Sequence, residues 1–114
     1  MLRLIKAVVR HELLEELVQA LNKAGVPRLS VSNVQTTGSG VDPKQAKLSQ
    51  ELGTGYTEKV LMQFVCAAEQ VDDIVNIVVE HAHTGCRGDG IVFVLPVERV
   101  VKIRTGVEGV AALM

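Results

Sequence analysis

Apolar and polar side chains follow two different rhythms along the first 35 residues. Residues 2–10, LRLIKAVVR, are dominated by aliphatic and β-branched side chains, which favour a β-strand. In residues 11–25, HELLEELVQALNKAG, leucine and valine recur every three or four positions, as on one face of a helix, and Gly25 is a typical helix stop. Pro27 cannot continue that helix, and residues 29–35 alternate like a second strand. This part of the chain is predicted to be a βαβ unit.

The same order of elements returns in the second half of the chain. Residues 59–67, KVLMQFVCA, are almost wholly apolar, which is typical of a central strand that is buried on both faces. Residues 71–82, VDDIVNIVVEHA, have the periodicity of a helix. Residues 91–97, IVFVLPV, predict a strand that Pro96 places at an edge or an end of the sheet. Residues 100–104, VVKIR, are expected to add a short strand.

Two such units predict a ferredoxin-like α+β sandwich, βαββαβ, with an antiparallel sheet and two helices on one face. The 114 residues are enough for one hydrophobic core and too few for two, so we expect a single domain over 1–114, with a C-terminal segment 99–114. The second face of the sheet carries aliphatic side chains as well. Because such a face needs cover, we predict a homo-oligomer.

Residues 36–57, TTGSGVDPKQAKLSQELGTGYT, interrupt the pattern with a long polar connection. A connection of this length between adjacent strands is usually functional, and the alternative is a disordered hairpin tip. Residues 43–52 contain good helix formers and could form a short helix. The flexibility of the segment comes from four glycines and one proline, namely Gly38, Gly40, Gly53, Gly55 and Pro43.

Composition and charge exclude several classes of function. Twelve Lys and Arg against thirteen Asp and Glu give a net charge of -1, so no general attraction to nucleic acid is expected. Aromatic residues make up 3% of the chain, which leaves little surface for stacking bases. No apolar run reaches about 18 residues, so we expect no membrane insertion. The early charges and the two cysteines, Cys66 and Cys86, favour a cytoplasmic protein without a secretory signal or a disulfide framework.

The residues with the clearest chemistry are 84–90, TGCRGDG, between a predicted helix and a predicted strand. Three glycines in six residues allow backbone N–H groups to converge on an anion such as phosphate, and Arg87 can add charge-assisted hydrogen bonds. Lys102 and Arg104 supply further positive charge downstream. A glycine-rich tight turn explains the stretch equally well, with Asp89 as a turn former.

Two other groups of residues are candidates for a metal site or a catalytic site. His81, His83 and Cys86 lie within six residues, with Cys66 on a neighbouring strand, and imidazole and thiolate groups can hold a metal ion. The alternative is a histidine at a favourable helix C-terminus and a small cysteine in a loop. No catalytic arrangement emerges, since His11 only begins a helix and the adjacent Asp72 and Asp73 do not face each other. We therefore expect a protein that is not an enzyme.

Residues 84–113, TGCRGDGIVFVLPVERVVKIRTGVEGVAAL, resemble the C-terminal signature of the PII signal-transduction proteins. Residues 4–34 are similar to the first βαβ unit of that family. Residues 36–57 match its long T-loop in position and length. The resemblance is most specific at 84–106 and covers nearly the whole chain.

The resemblance implies a ferredoxin-like homotrimer that binds ATP or ADP in clefts between subunits, often together with 2-oxoglutarate. In proteins of that family, which act in nitrogen regulation, the bound nucleotide sets the T-loop conformation, and the loop docks onto a transporter, an enzyme or a regulator. On the matching positions, Lys59 stands for the lysine that contacts 2-oxoglutarate. The implied nucleotide-binding residues are Ser30, Gly38, Gln63, Val65, Thr84, Gly85, Arg87, Gly88, Asp89, Gly90, Lys102 and Arg104.

The chain also departs from the family pattern. Ile91 stands where the family has a phosphate-contacting lysine, and Gly40 replaces the glutamine that helps to hold magnesium and 2-oxoglutarate. The T-loop tip has no tyrosine at the uridylylation site, and Tyr56 lies at the far base of the loop, so no uridylylation is expected there. The role of magnesium and the choice among ATP, ADP and AMP stay open. Three alternative functions also stay open: the binding of a different small molecule, the binding of a metal ion by His81, His83 and Cys86, and an interaction scaffold that binds no ligand.

Overall fold

The computed structural model describes residues 1–38, 41, 44, 46–49, 52 and 54–114. Short 3-10 turns precede both helices, and a third forms the last ordered element at Gly109–Leu113. The strands and helices, in chain order, are β1 Leu2–Val9, α1 Leu14–Lys23, β2 Ser30–Thr37, β3 Lys47–Ser49, β4 Thr54–Ala67, α2 Val71–Ala82 and β5 Gly90–Val97.

The strands form one antiparallel sheet in the order β2-β4-β1-β5, with β3 paired to the beginning of β4. β4 and β1 are central, as the apolar residues of 59–67 predict. Ile5 of β1 lies between Phe64 of β4 and Val94 of β5. β5 is at an edge of this sheet, which confirms the placement that Pro96 predicts. The ferredoxin-like fold is therefore confirmed.

The core lies between the sheet and the two helices. Helix α1 contributes Leu17 and Leu21, which are fully buried. After Lys23 the helix ends in a tight turn, in which Gly25 adopts a φ of 93° and the Val26 N–H donates to the Leu21 carbonyl at 3.0 Å. This confirms Gly25 as the helix stop. The other core side chains come from one face of the sheet and from α2, and they include Ile5, Ala7, Val9, Val60, Met62, Phe64, Cys66, Ile74 and Val78.

Neither α1 nor α2 covers the opposite face of the sheet, which we call the open face. Ile91 and Phe93 on β5 are 54% and 46% exposed there, and Leu95 is similar. Successive side chains of a strand point to opposite faces, so these three residues form one apolar stripe. A stripe of large exposed apolar side chains is the feature that the predicted homo-oligomer would bury.

Two elements differ from the sequence prediction. Residues 100–104 do not form a strand: Val101 makes a single β-bridge to Glu108, and the Gly106 N–H donates to the Lys102 carbonyl at 2.7 Å. The chain turns back here before it can reach a sheet edge. The short helix predicted for 43–52 is absent at Lys47–Ser49, which form β3. Pairing with β4 supplies hydrogen bonds that an isolated helix of this length cannot match.

The connection 36–57 is partly sheet. β2 continues to Thr37 and β4 begins at Thr54, so both ends of the segment extend the pairing of β2 with β4. Thr37 pairs with Tyr56 on one side and Lys47 pairs with Tyr56 on the other. Gly40, Pro43 and Gly53 lie outside the described residues. None of the described helices is long and apolar enough to cross a membrane.

Candidate functional site

A cleft of about 590 Å³ opens on the open face where β2, β4 and β1 meet the C-terminal turn. Ser30 at the start of β2 pairs with Gln63 of β4, and Val65 follows on the same face. Lys102 and Arg104 line the opposite wall. The apolar part of the lining comes from Leu4, Leu29, Val100, Ile103, Ala112 and Leu113. Arg28 lines the cleft as well, and aliphatic walls beside three cations suit a ligand with one apolar and one anionic part.

Residues 84–90 form a loop, which we call the glycine loop, between α2 and β5. The Asp89 carboxylate accepts the N–H groups of Thr84 at 2.8 Å and of Gly85 at 2.9 Å, as well as the Thr84 hydroxyl. Arg10 also donates to it through Nε at 3.2 Å. Led by the Thr84 hydroxyl, these hydrogen bonds hold the pKa of Asp89 well below its usual range. The first amides of the predicted anion nest are therefore occupied by the loop's own carboxylate.

Two of the loop glycines are required by geometry. Gly90 has a φ of 109°, and a Cβ at this position would lie 1.8 Å from the Val8 carbonyl oxygen. Gly88 has a φ of 98°, and a Cβ there would come within 3.4 Å of Lys59 Nζ. Only glycine adopts such backbone angles readily. The loop thus keeps a shape that passes close to β1 and to β4.

Two buried cations hold the back of the glycine loop. Arg10 Nη2 donates to the Arg87 carbonyl at 2.9 Å, and Lys59 Nζ donates to the Gly88 carbonyl at 2.7 Å. Both residues are only 6% exposed. Sequence reasoning placed Lys59 at an effector position but missed Arg10. The sequence does show a charged residue, Arg10, at the end of an apolar strand. That this strand end lies next to the glycine loop follows only from the pairing of Val9 with Gly90.

Apart from Gly38, the predicted nucleotide residues fall into two separate groups within one chain. Val65 pairs with Leu4, whereas Gly90 pairs with Val9, five residues further along β1. At the rise of a strand this is about 17 Å. Lys102 and Arg104 lie with the cleft and not with the glycine loop, and Lys102 Nζ donates to the Met114 carbonyl at 2.7 Å.

Gly38 is also away from the cleft within one chain. It follows the end of β2, eight residues from Ser30, which is about 27 Å along an extended strand. Its φ of 118° and the bond from the Val41 N–H to its carbonyl at 3.2 Å mark the start of a turn. A contact of Gly38 with nucleotide stays a prediction.

The structure does not bring His81, His83 and Cys86 together as the ligand set of the alternative metal site. His81 Nδ1 lies 2.9 Å from Glu16 Oε1 on α1, because the last turn of α2 faces the neighbouring helix. His83 turns to Asp89 Oδ2, at 3.7 Å, and Cys86 is exposed in the glycine loop. The described part of the chain holds no group of three His, Cys, Asp or Glu that could bind a metal ion. Cys66 is in the core, where burial raises the pKa of its thiol.

Comparisons with known proteins agree with the signature in the sequence. The family model for nitrogen regulatory protein P-II matches residues 2–107. Nitrogen regulatory protein GlnK2 of Haloferax mediterranei is 38% identical over 112 residues, which cover 95% of this chain and 88% of that protein. Nitrogen regulatory protein GlnK of Escherichia coli K12 is 31% identical over 112 residues, which cover 98% of this chain and 100% of that protein.

A solved structure gives the same result for the fold. The crystal structure of Arabidopsis thaliana PII bound to citrate superimposes with a TM-score of 0.78 at 31% identity. The match covers 96% of this chain and 87% of that one. Sequence and fold thus agree over nearly the full length, and the chain belongs to the nitrogen regulatory protein P-II family.

Proposed function

We propose that this P-II regulatory protein acts as a homotrimer that binds ATP or ADP between subunits. The bound nucleotide would bias the conformation of segment 36–57, through which the protein contacts a transporter, a regulator or an enzyme of nitrogen or carbon metabolism. Family membership supports the signalling role. The binding of nucleotide, the trimeric assembly and the contact with a partner protein are what the proposal adds to that role.

The proposal rests on one observation: within one chain, the predicted nucleotide residues are divided between the cleft and the glycine loop. The cleft with Lys102 and Arg104 is separate from the glycine loop in one chain, since Val65 of the cleft and Gly90 of the loop pair with residues of β1 that are about 17 Å apart. A subunit packed against the apolar stripe of its neighbour can bring the loop of one chain to the cleft of the next. Such a head-to-tail contact closes into a ring when the rotation between subunits is 120°.

The chemistry of the cleft fits an adenine nucleotide. Lys102 and Arg104 provide charge for phosphates, and Arg28 also lines the cleft. Ser30 and Gln63 offer hydrogen-bonding groups, while Leu4 and Val65 provide aliphatic surface. Because the chain has so few aromatic residues, the base would rest on aliphatic side chains and backbone.

Segment 36–57 is connected to the proposed site through β4. Lys59, which donates to the Gly88 carbonyl, lies on the strand that runs without interruption from Thr54 in the segment. A nucleotide that favours one position of the glycine loop would therefore favour one position of β4 at Lys59. The size of the switch is limited by the difference in affinity for the two states, in which about 1.4 kcal/mol corresponds to tenfold.

Titration calorimetry with ATP, ADP and AMP, each with and without magnesium and 2-oxoglutarate, tests the proposal. We expect ATP or ADP to bind once per subunit, and light scattering should give the mass of a trimer. Arg104→Ala should weaken binding by about 1.5–3 kcal/mol, the range for a hydrogen bond to a charged group. The absence of nucleotide binding at millimolar concentration would refute the sensor function, and binding of a different anion alone would redirect it.

A further inference from the structure

The two buried cations behind the glycine loop contact carbonyl groups of consecutive residues. Arg10 Nη2 contacts the Arg87 carbonyl, and Lys59 Nζ contacts the Gly88 carbonyl. Arg10 comes from the end of β1 and Lys59 from β4, and both side chains are buried. The loop thus has its carbonyl oxygens turned toward the sheet at two adjacent peptide groups.

These two contacts also determine where the following N–H groups point. In a trans peptide the C=O and the N–H point in opposite directions, and the described peptide bonds of this loop are trans. With the Arg87 and Gly88 carbonyls turned to the cations, the N–H groups of Gly88 and Asp89 point away from the sheet. Two successive N–H groups that point outward next to a glycine of positive φ form an anion-binding concavity.

The first part of the loop cannot provide this concavity. The N–H groups of Thr84 and Gly85 donate to the Asp89 carboxylate. An anion from outside must therefore use donors further along the loop. Gly88 tolerates either orientation of its flanking peptide groups, so the orientation has to come from contacts outside the loop.

We infer that Arg10 and Lys59 are positioning residues that orient the Gly88 and Asp89 N–H groups toward a bound phosphate. The inference rests on the proposed nucleotide function. It assigns to Lys59 a role in shaping the loop, and it adds Arg10, which the sequence analysis did not select. Neither side chain needs to touch the nucleotide for this role.

The experiment compares Arg10→Met and Lys59→Met with Arg3→Met. Arg3→Met removes the same charge from the other end of β1, where Arg3 Nη1 donates to the adjacent Leu2 carbonyl at 3.0 Å. Calorimetry measures ATP and adenosine for each variant. We expect ATP affinity to fall about tenfold in the first two variants, within the range of couplings between sites, and adenosine affinity to stay unchanged. Arg3→Met should bind both ligands as the wild type does.

A second measurement reports the orientation itself. Residual dipolar couplings of the Gly88 and Asp89 N–H bonds, measured without nucleotide, should change in Arg10→Met and Lys59→Met and should be partly restored in Arg10→Lys. Unchanged couplings would overturn the inference, since a side chain that contacts phosphate directly lowers ATP affinity without reorienting these amides. Unchanged ATP affinity in both variants would overturn it too. If the wild type binds no ATP, the proposed function fails, and the couplings alone decide whether the two cations orient the loop.

Discussion

The Asp89 carboxylate accepts the backbone N–H of Thr84 at 2.8 Å and closes the glycine loop across five residues. The Thr84 hydroxyl also donates a hydrogen bond to the Asp89 carboxylate. Arg10 lies on the other side of the carboxylate. A stretch that looks like an empty anion nest in the sequence therefore contains an anion of its own, and its rigidity depends on that anion.

Replacement of Asp89 by asparagine should destabilise the protein. Asp89→Asn keeps the size of the side chain but removes the charge that strengthens its bonds to Thr84, Gly85 and Arg10. Because the site is partly exposed, we expect a loss of about 1–2 kcal/mol in the free energy of unfolding, measured with urea at pH 7.

The pH dependence of that loss gives a control. The pKa of Asp89 is lowered in the folded protein, so its stabilising contribution is present above the ordinary carboxyl pKa of about 4 and declines as the pH falls below it. The difference in stability between wild type and Asp89→Asn should therefore shrink below pH 4. A difference that stays constant down to pH 3 would contradict this origin of the effect.

Gly90→Ala should be far more damaging than a comparable substitution elsewhere. The new Cβ would lie 1.8 Å from the Val8 carbonyl, so β1 and β5 would have to separate at this point. We expect a loss of more than about 2 kcal/mol, the upper cost of positive φ alone. Gly106→Ala is the matched control: its φ is 74° with no atom within 4 Å of the new Cβ, so it should cost only about 1 kcal/mol. Equal losses in thermal or urea unfolding would show that the close approach is not the cause.

Phe93→Glu should dissociate the proposed trimer. A carboxylate in the middle of the apolar stripe would lose its hydration if a neighbouring subunit covered it. Light scattering should then report the mass of a monomer. Leu48→Glu serves as the control, because Leu48 is highly exposed on β3, away from the stripe, and this variant should keep the wild-type mass. A Phe93→Glu protein that keeps the mass of a trimer would rule out the open face as the interface.

Ile91→Lys should strengthen the binding of ATP. Ile91 is the first residue of the apolar stripe and directly follows Gly90, so the aliphatic stem of a lysine can cover apolar surface there while its ammonium group stays beside the glycine loop. One charged hydrogen bond to phosphate would raise ATP affinity by about tenfold or more and leave adenosine affinity unchanged. Leu48→Lys adds the same charge on β3, where the side chain is highly exposed and away from the glycine loop, and should have no effect. An equal gain in both variants would indicate general electrostatic attraction.

Local patterns predicted most of the fold because they report which face of an element is apolar. The strand 2–10, the helix that ends before Gly25 and the edge position of Pro96 all follow from periodicity or backbone restriction. The same patterns failed at 100–104, since alternation of apolar and polar residues also fits a turn whose only pairing is the bridge from Val101 to Glu108.

The amino-acid sequence by itself determined the family signature, the glycine positions and the candidate cations Lys102 and Arg104, because these are properties of residue type and spacing. Only the tertiary structure decided that Arg10 and Lys59 hold the glycine loop and that Gly90 of this loop lies about 17 Å along β1 from Val65 of the cleft. The physical reason is strand register. The pairing of Val9 with Gly90 and of Leu4 with Val65 depends on the packing of the whole sheet, and no local pattern contains it.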